Sequence, residues 1–291
     1  MILIDYSQVA LGAILSFQRE LKTQSEGEVK NLIRHCILSS LKYYRKRYGK
    51  EFGEMVICCD GRYYWRKDIF EFYKGSRKKN REASDLDWKL IFDLMAEIRE
   101  DLKEHFPYRV IHNEKNEADD AIATLCHHSN TFGNFEKMMI ISSDKDFKQL
   151  QKYGNVDQWS PMQKKKVILK TTEYDSFTIE HIVKGDSGDG IPNILSPDNV
   201  LMTEGARQKP VMAKRLRAFI EHGRDECQSD EERRCWDRNT ALIDLFKIPD
   251  TIQEGILSDY LNIKPKGDKM SVYNYLMQNR CHLLMEEVED F

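Results

Sequence analysis

The sequence lacks any apolar run near the roughly 18 residues that a bilayer span requires, which excludes a membrane-crossing helix. It has no Cys-x-x-Cys pair, and its seven cysteines (36, 58, 59, 126, 227, 235 and 281) are odd in number. These absences argue against a zinc module and a disulfide framework, leaving reduced, buried fillers. An excess of one charge is also missing: 45 basic residues nearly cancel 48 acidic ones, and the net −3 means that any nucleic-acid surface must be local. Met1-Ile-Leu-Ile-Asp5 opens like a strand, without the basic, apolar and small-residue zones of a signal peptide, so a cytoplasmic location is expected. The 291 residues match about two average domains, and a 41% hydrophobic content is enough for a sizeable core.

Three short runs, Met1 to Ile4, Met55 to Cys59 and Met138 to Ser143, are apolar without alternation, as expected of central strands covered on both faces. A helical pattern at Val29 to Tyr48, with Leu32, Ile33, Cys36, Ile37, Ser40 and Leu41 at three- and four-residue spacing, separates the first two. Trp88 to Leu102, a strand at Tyr108 to His112, and Glu117 to His128 separate the second and third. This alternation predicts an α/β fold with a central, mostly parallel sheet flanked by helices. After about Ser176, helical segments follow at Thr178 to Lys184, Lys209 to His222, Glu231 to Phe246 and Met270 to Val288. The turn-rich Asp186-Ser-Gly-Asp-Gly-Ile-Pro192 is the expected junction, dividing a core over 1–185 from a C-terminal helical region over 186–291.

Each of the three runs is followed by an aspartate: Asp5, Asp60 and Asp144. Any one of them can begin a turn or cap a helix. All three, however, fall beyond the carboxyl ends of strands, where ligands of open parallel sheets bind. Asp146 adds a carboxylate two residues past Asp144. Glu117 and Asp120 are expected to share one helix face, with Asp119 pointing elsewhere; the bland alternative is a first-turn acid pair favoured by the helix dipole. Asp186 and Asp189 lie among Gly185, Gly188 and Gly190. If all these groups converge, like charges raise one another's pKa strongly unless cations intervene. Oxygen ligands with no His or Cys nearby favour Mg²⁺, with Mn²⁺ as a substitute, over zinc. Two ions about 4 Å apart suit this many carboxylates and the in-line displacement of a phosphodiester, which points to a nuclease.

Between Arg62 and Arg81 eight basic residues face only Asp68 and Glu71, a local balance of +6. Tyr63, Tyr64, Trp65, Phe70, Phe72 and Tyr73 are interleaved, supplying the stacking faces that single strands use beside phosphate contacts, although Phe70 and Phe72 individually suit inward packing. Lys164 to Lys166 with Lys170 form a weaker basic cluster. Arg207, Lys209, Lys214, Arg215 and Arg217 form another, on a predicted helix, and are the candidates for holding duplex phosphates. Cys126-His-His128 is read as structural, because adjacent helical residues diverge and no partner pair is evident.

With these motifs assembled, the chain resembles the 5′ nuclease family of flap endonucleases and 5′ to 3′ exonucleases over nearly its full length. The resemblance rests on Ile4-Asp-Tyr-Ser-Gln8, Cys59-Asp60, Glu117-Ala-Asp-Asp120, Ile141-Ser-Ser-Asp-Lys-Asp-Phe147 and Gly185-Asp-Ser-Gly-Asp189. It implies a PIN-like core with Asp5, Asp60, Glu117, Asp120 and Asp144 around an inner metal and Asp146, Asp186 and Asp189 on an outer one; Asp119 is counted among the metal residues as well, at a position where phage relatives can differ. The spacing of Arg66, Tyr73, Lys74 and Arg77 is similar to the family's arch, here about 62–87. It implies Lys74 and Arg66 as catalytic cations and Tyr73, Arg77, Lys78 and Lys79 as nucleic-acid contacts. Ile191-Pro-Asn-Ile-Leu-Ser-Pro197 departs from the family's Gly-rich hairpin, which argues against a potassium ion and assigns duplex contacts to a modified hairpin including Arg207 to Arg217.

The implied activity is that of a 5′ nuclease using two Mg²⁺ ions on flaps, nicked or branched DNA and RNA–DNA hybrid, removing primers during phage replication in the host cytoplasm. The implied protein is a monomer with a single-strand-binding protein and a sliding clamp as candidate partners. A PIN-type ribonuclease is disfavoured by the helical region and the arch, and a catalytically silent branched-DNA-binding module by the intact acid set. A phosphatase with an aspartyl nucleophile would need a second carboxylate two residues after Asp5, where Ser7 stands.

Overall fold

Runs of Ile, Val and Met build a sheet buried on both faces. The computed structural model describes the chain apart from Phe132, Lys170, Thr171 and Thr172 and the side chains of Lys78, Lys79, Asn80 and Asp175. In chain order the elements are β1 (Ile2–Asp5), α1 (Tyr6–Leu15), α2 (Gln18–Thr23), α3 (Glu26–Phe52), β2 (Met55–Cys59), α4 (Arg66–Ile69), α5 (Ser76–Glu82), α6 (Trp88–His105), β3 (Arg109–His112), α7 (Ala118–Thr131) and β4 (Met138–Ile141). They continue with a 3₁₀ turn (Asp146–Lys152), β5 (Val156–Ser160), β6 (Lys165–Val167), α8 (Tyr174–Lys184), α9 (Ala213–His222), α10 (Asp230–Ile243), α11 (Asp250–Asn262), α12 (Lys269–Gln278) and α13 (His282–Met285). None of the described helices is long and apolar enough to cross a membrane.

The strand order is β3-β2-β1-β4-β5-β6, parallel except for β6 at the edge. This is the expected helix-flanked, mostly parallel sheet. Successive β1 residues serve opposite layers, as the two-residue period of a strand requires. Ile2 and Ile4 pack with α3, α6 and α12, whereas Leu3 packs with Ala121, Ile122 and Leu125 of α7 and Ile256 of α11. The connections run outward from β1 through β2 to β3, then return to the other side of β1 for β4. The order therefore reverses between β1 and β4, the switch point where α/β folds open a crevice, and Asp5 and Asp144 flank it.

A third apolar cluster joins Phe70 and Tyr73 of the basic segment to Ile182 and Val183 of α8, Phe219 of α9, and Trp236 and Leu242 of α10. Beyond it the chain returns to the sheet layers: α11 packs on α7 and β3, and Val272, Tyr275 and Leu276 of α12 join the α3–α6 layer with Phe291.

Several boundaries differ from the sequence expectation. Helix α9 starts at Ala213 rather than Lys209 because Pro210 disfavours helical backbone at the residue before it. The segment from Met270 to Val288 is not one helix; it breaks after Gln278, where Arg280 takes a left-handed φ of 56°. Helices α1 and α11 and the β5–β6 hairpin have no counterpart in that expectation.

Leu276 is fully buried in the α3–α6 layer. Leu276→Ala is expected to cost about 2–5 kcal/mol, lowering the urea midpoint of a single transition without changing its slope. An unchanged midpoint would show that α12 contributes nothing to the core.

Candidate active site

The tip of the sheet sorts its acids into two populations. Asp5 ends β1 and caps α1, accepting from Gln8 N–H at 3.1 Å and from the Ser142 hydroxyl at 2.8 Å. Asp60 follows β2 and accepts from Ala118 N–H at 3.0 Å, which ties it to the start of α7. Asp144 follows β4; its carboxylate accepts from Asp146 N–H at 2.9 Å, and its own N–H donates to Ser142 Oγ at 3.1 Å. Asp5, Asp60, Asp119 and Asp144 line one cavity of about 580 Å³ together with Lys74 and Arg77; Leu11 and Leu15 of α1 and Met162 supply an apolar wall.

Glu117 and Asp120 behave differently from the expectation that they share one helix face as inner-metal acids. Glu117 precedes α7 rather than lying within it, and the Asp120 carboxylate folds back to accept from Glu117 N–H at 2.9 Å. Both are completely buried. Arg66 lies 2.7 Å from Glu117 and 2.8 Å from Asp120, and Trp65 Nε1–H donates to Asp120 at 3.0 Å. Lys74 and the Tyr73 hydroxyl also bind Glu117. Asp119, one residue round the helix from Asp120, is the acid that α7 presents to the cavity.

The basic segment also departs from expectation. Arg66, assigned as a catalytic cation, is 3% exposed, and its Nε donates to Leu242 O at 3.0 Å while both other nitrogens lie against the acids, so its guanidinium faces the interior rather than the cavity. Tyr73, assigned a nucleic-acid contact, is 2% exposed and packed in the third cluster, with its hydroxyl on Glu117 and on Asp189 at 3.2 Å; it has no open face on which a base could stack. Tyr63 is the aromatic of this segment left exposed. Lys74 enters the site by adopting φ 55°, held by its N–H donating to Asp189 O at 2.7 Å. The same approach requires Gly190, at φ 74°, since a Cβ there would stand 2.8 Å from Phe72 O. Arg77 reaches Asp189 at 2.6 Å from a half-exposed position. The side chains of Lys78 and Lys79 lie outside the described residues.

The second acid group sits one turn away. Asp186 accepts from Gly188 N–H at 2.8 Å and pairs with Lys145 at 2.9 Å. The expectation that no histidine lies near these acids does not hold: buried His181 of α8 stands 3.2 Å from both Asp146 and Asp186. Its signal in the sequence was a histidine five residues before Asp186, with nothing in the spacing to show that it turns back toward Asp146.

Burial and then the neighbouring Asp60 push the Asp5 carboxyl up to about 7. Burial, reinforced by Asp144 and Asp5, raises Asp119 well above the carboxylate range, and Asp144 and Asp146 are raised for similar reasons. Asp186 is lowered: burial opposes this, but His181 and Lys145 outweigh it. Burial likewise works against the Lys74 charge, yet Glu117 and Asp189 hold its pKa above that of an ordinary lysine. The cavity thus holds carboxylates that Lys74 only partly offsets, whereas the acids behind it are paired directly with Arg66 and Lys74. A site of clustered, proton-hungry oxygen donors fits a hard divalent cation.

Of the basic clusters, Arg207, Lys209, Lys214 and Arg217 are exposed, but both terminal nitrogens of Arg215 are bound by Glu232 at 3.1 and 2.5 Å. A second groove of about 380 Å³ shares Asp144 with the cavity and is lined by Lys145, Lys148, Lys165 and Lys166. His127 bonds to Tyr153 and to Leu245 O, in keeping with its structural reading.

Fold and site together define a nuclease of the 5′ to 3′ exonuclease class, and the chain belongs to that family. The family model described as the 5′-3′ exonuclease N-terminal, resolvase-like domain matches residues 1–180, and that of the T4 RNase H C-terminal region matches residues 170–291. The chain is 35% identical to the ribonuclease H of Enterobacteria phage T4, across 99% of its own length and 95% of that protein. It is 31% identical to the flap endonuclease Xni of Shewanella piezotolerans, across 45% of its own length and about half (49%) of Xni. Two solved structures share the fold, each with a TM-score of 0.62 and 18% identity over 90% of this chain. They are the T5 5′-exonuclease with zinc bound, covered to 98%, and the bacteriophage T5 flap endonuclease in a pseudo-enzyme-product complex with DNA and metal ions, covered to 99%.

Two outcomes test the electrostatics. Arg66→Ala leaves two buried carboxylates without their cation and is expected to cost about 3–5 kcal/mol of stability; a melting temperature within a degree of wild type would contradict the pairing. Because the folded pKa of Asp5 lies above its unfolded value, the folded state holds the extra proton between 3.8 and about 7, and metal-free stability falls as pH rises through that window. Asp5→Asn is therefore expected to raise the melting temperature in EDTA at pH 8 but not at pH 4. Equal shifts at both pH values would assign the effect to packing instead.

Proposed function

We propose that the protein is a divalent-metal-dependent 5′ nuclease that cleaves 5′ flaps, nicked or branched DNA and RNA annealed to DNA, removing primers during phage replication in the host cytoplasm. The observation that carries this reading is the cavity where Asp5, Asp60, Asp119 and Asp144 converge, with Lys74 and Arg77 at its wall. Residues 1–185 act as the cutting core and 186–291 as the part that holds duplex.

Asp5, Asp119 and Asp144, with Asp60 beside them, are the residues that hold metal; two Mg²⁺ ions, or Mn²⁺ in their place, supply Lewis-acid activation of water and stabilise charge on the phosphate when bound. Lys74 and Arg77 draw a phosphodiester into an otherwise repulsive cavity. Lys74, fixed by Glu117 and by its backbone bond to Asp189, is preorganised toward charge that develops on the scissile phosphate. The apolar wall of Leu11 and Leu15 gives the adjoining nucleotide a surface to rest on. Arg66 acts at one remove, by holding Glu117 and Asp120 in place. Exposed Lys214 and Arg217 on α9 hold duplex phosphates.

A 5′-labelled flap incubated with Mg²⁺ or with EDTA tests the activity: cleavage equal in both removes the metal reading, and none in either removes the nuclease. Asp144→Asn is expected to lower the rate roughly 10³-fold, since a metal supplies several kcal/mol to the transition state, while branched-DNA binding persists. In single-turnover experiments at saturating enzyme, Lys74→Ala is expected to slow cleavage about 10²-fold with a much smaller change in Kd; a raised Kd at unchanged rate would make Lys74 only an anchor. Replacing Lys214 and Arg217 with Ala is expected to flatten the salt slope of binding by up to about 0.9 for each phosphate no longer neutralised. An unchanged slope would place the duplex grip elsewhere, with the Lys165–Lys166 groove the next surface to test.

A further inference from the structure

Asp144 stands three residues beyond the end of β4, on backbone that belongs to no strand or helix. The neighbouring strand explains why the regular structure stops there. β4 and β5 run parallel, and Ser142 N–H donates the last ladder bond to Trp159 O at 3.1 Å. In a parallel ladder the following bond would run from the N–H of residue 161 to Ser142 O. Residue 161 is Pro, which has no N–H to give. The carbonyls of Ser142 and Asp144 therefore need partners from outside the ladder.

Gln158 supplies both. It lies on β5 in register with Ile140, is fully buried, and donates from Nε2 to Ser142 O at 3.0 Å and to Asp144 O at 2.6 Å. Only the NH₂ end of an amide can face two carbonyls, and its two protons match the two acceptors. Its Oε1 accepts from Gln151 Nε2 at 3.3 Å. Gln151 also donates to Val167 O at 3.2 Å and accepts from Leu169 N–H at 3.0 Å, which anchors it to the arm of β6. Val156, Gln158 and Ser160 form the buried side of β5, where an amide is costly unless each of its polar groups is paired. All of them are paired here, and both donors converge on the segment that carries Asp144.

Building on the reading of Asp144 as a metal-holding residue, we propose that Gln158 is a positioning residue. It replaces the missing ladder bond and fixes the backbone that aims the Asp144 carboxylate into the cavity, while Gln151 locks the amide in that orientation. Gln158 reaches the chemistry only through Asp144. A displacement of about 1 Å at such a group is enough to cost roughly 10²-fold in rate, and the two amide bonds are what prevents a shift on that scale.

The test is a double-mutant cycle in the full chain, read by Mn²⁺ titration and electron paramagnetic resonance. Gln158→Met keeps the volume and removes both donors. It is expected to weaken one class of Mn²⁺ site by about 10-fold or more, as Asp144→Asn does, and to add less than about 2-fold when combined with Asp144→Asn. Leu276→Ala, which loosens the core away from the site, is expected to leave Mn²⁺ affinity unchanged, so a general loss of stability is told apart. In single-turnover flap cleavage, Gln158→Met is expected to lower the rate about 10²-fold with an unchanged Kd for DNA. Wild-type Mn²⁺ affinity in folded Gln158→Met overturns the proposal, and so does a full additive loss on top of Asp144→Asn. If Gln158→Met does not fold, Gln151→Met, which unlocks the amide without removing it, carries the same test, and wild-type affinity there overturns the proposal too. Unchanged affinity in Asp144→Asn itself removes the metal reading of the cavity, whereas weakening by Asp144→Asn alone removes only the role of Gln158.

Discussion

Arg66 is the group on which the working end of the molecule depends. Its guanidinium binds Glu117, Asp120 and the carbonyl of Leu242, so one buried cation ties the basic segment, the start of α7 and the end of α10 to a single point. Ion pairs of this kind add little net stability, since the cost of desolvation offsets the attraction, but removing one member leaves an uncompensated charge in a dry site. Their benefit here is geometric. The pairing fixes α7 in the rotation that turns Asp119 into the cavity, and it anchors the segment that carries Lys74.

That anchoring explains how a cavity lined with carboxylates coexists with a polyanionic substrate class. The acids behind the cavity are paired with cations of the protein and act as supports; among the acids that line it, Asp5, Asp119 and Asp144 have raised proton affinities through burial and mutual repulsion. Such a site stores an electrostatic demand that protons meet at low pH and that a nearby cation can meet at neutral pH. Lys74 stands at the boundary between the two populations. Its left-handed backbone, the bond to Asp189 and the space left by Gly190 together place an ammonium at the rim of the carboxylate cavity.

The sheet supplies the frame. Reversal of strand order between β1 and β4 opens the crevice, and the parallel arrangement puts Asp5, Asp60 and Asp144 at the same edge of three adjacent strands. The chain then uses its C-terminal half twice. Helices α8 to α10 enclose the basic segment through Phe70 and Tyr73, and α11 and α12 return to cover the two faces of the sheet. The two halves are therefore packed extensively against each other, and the position of Asp186 and Asp189 relative to the cavity is set by packing on both sides of the junction.

The sequence by itself determined the α/β class, the buried strands and the aspartates that follow them, because unbroken apolar runs and strand-end acids are local patterns with a period and a place. It also determined which segments were basic. What only the tertiary structure decided was the job of each charged group. Glu117 and Asp120 looked like ligands on one helix face, but α7 begins one residue later than that spacing assumed, and Arg66, fifty-one residues away from Glu117, claims them both. Tyr73 and Arg66 looked like substrate contacts and are interior residues, since an amphipathic cationic segment does not reveal which of its side chains another part of the chain will bury. His181 carried no motif and lies between Asp146 and Asp186 because α8 packs against the 3₁₀ turn after β4. Local periodicity fixes elements and their ends, whereas the partner of a buried charge is fixed by contacts between residues far apart in the chain, which no spacing in the sequence records.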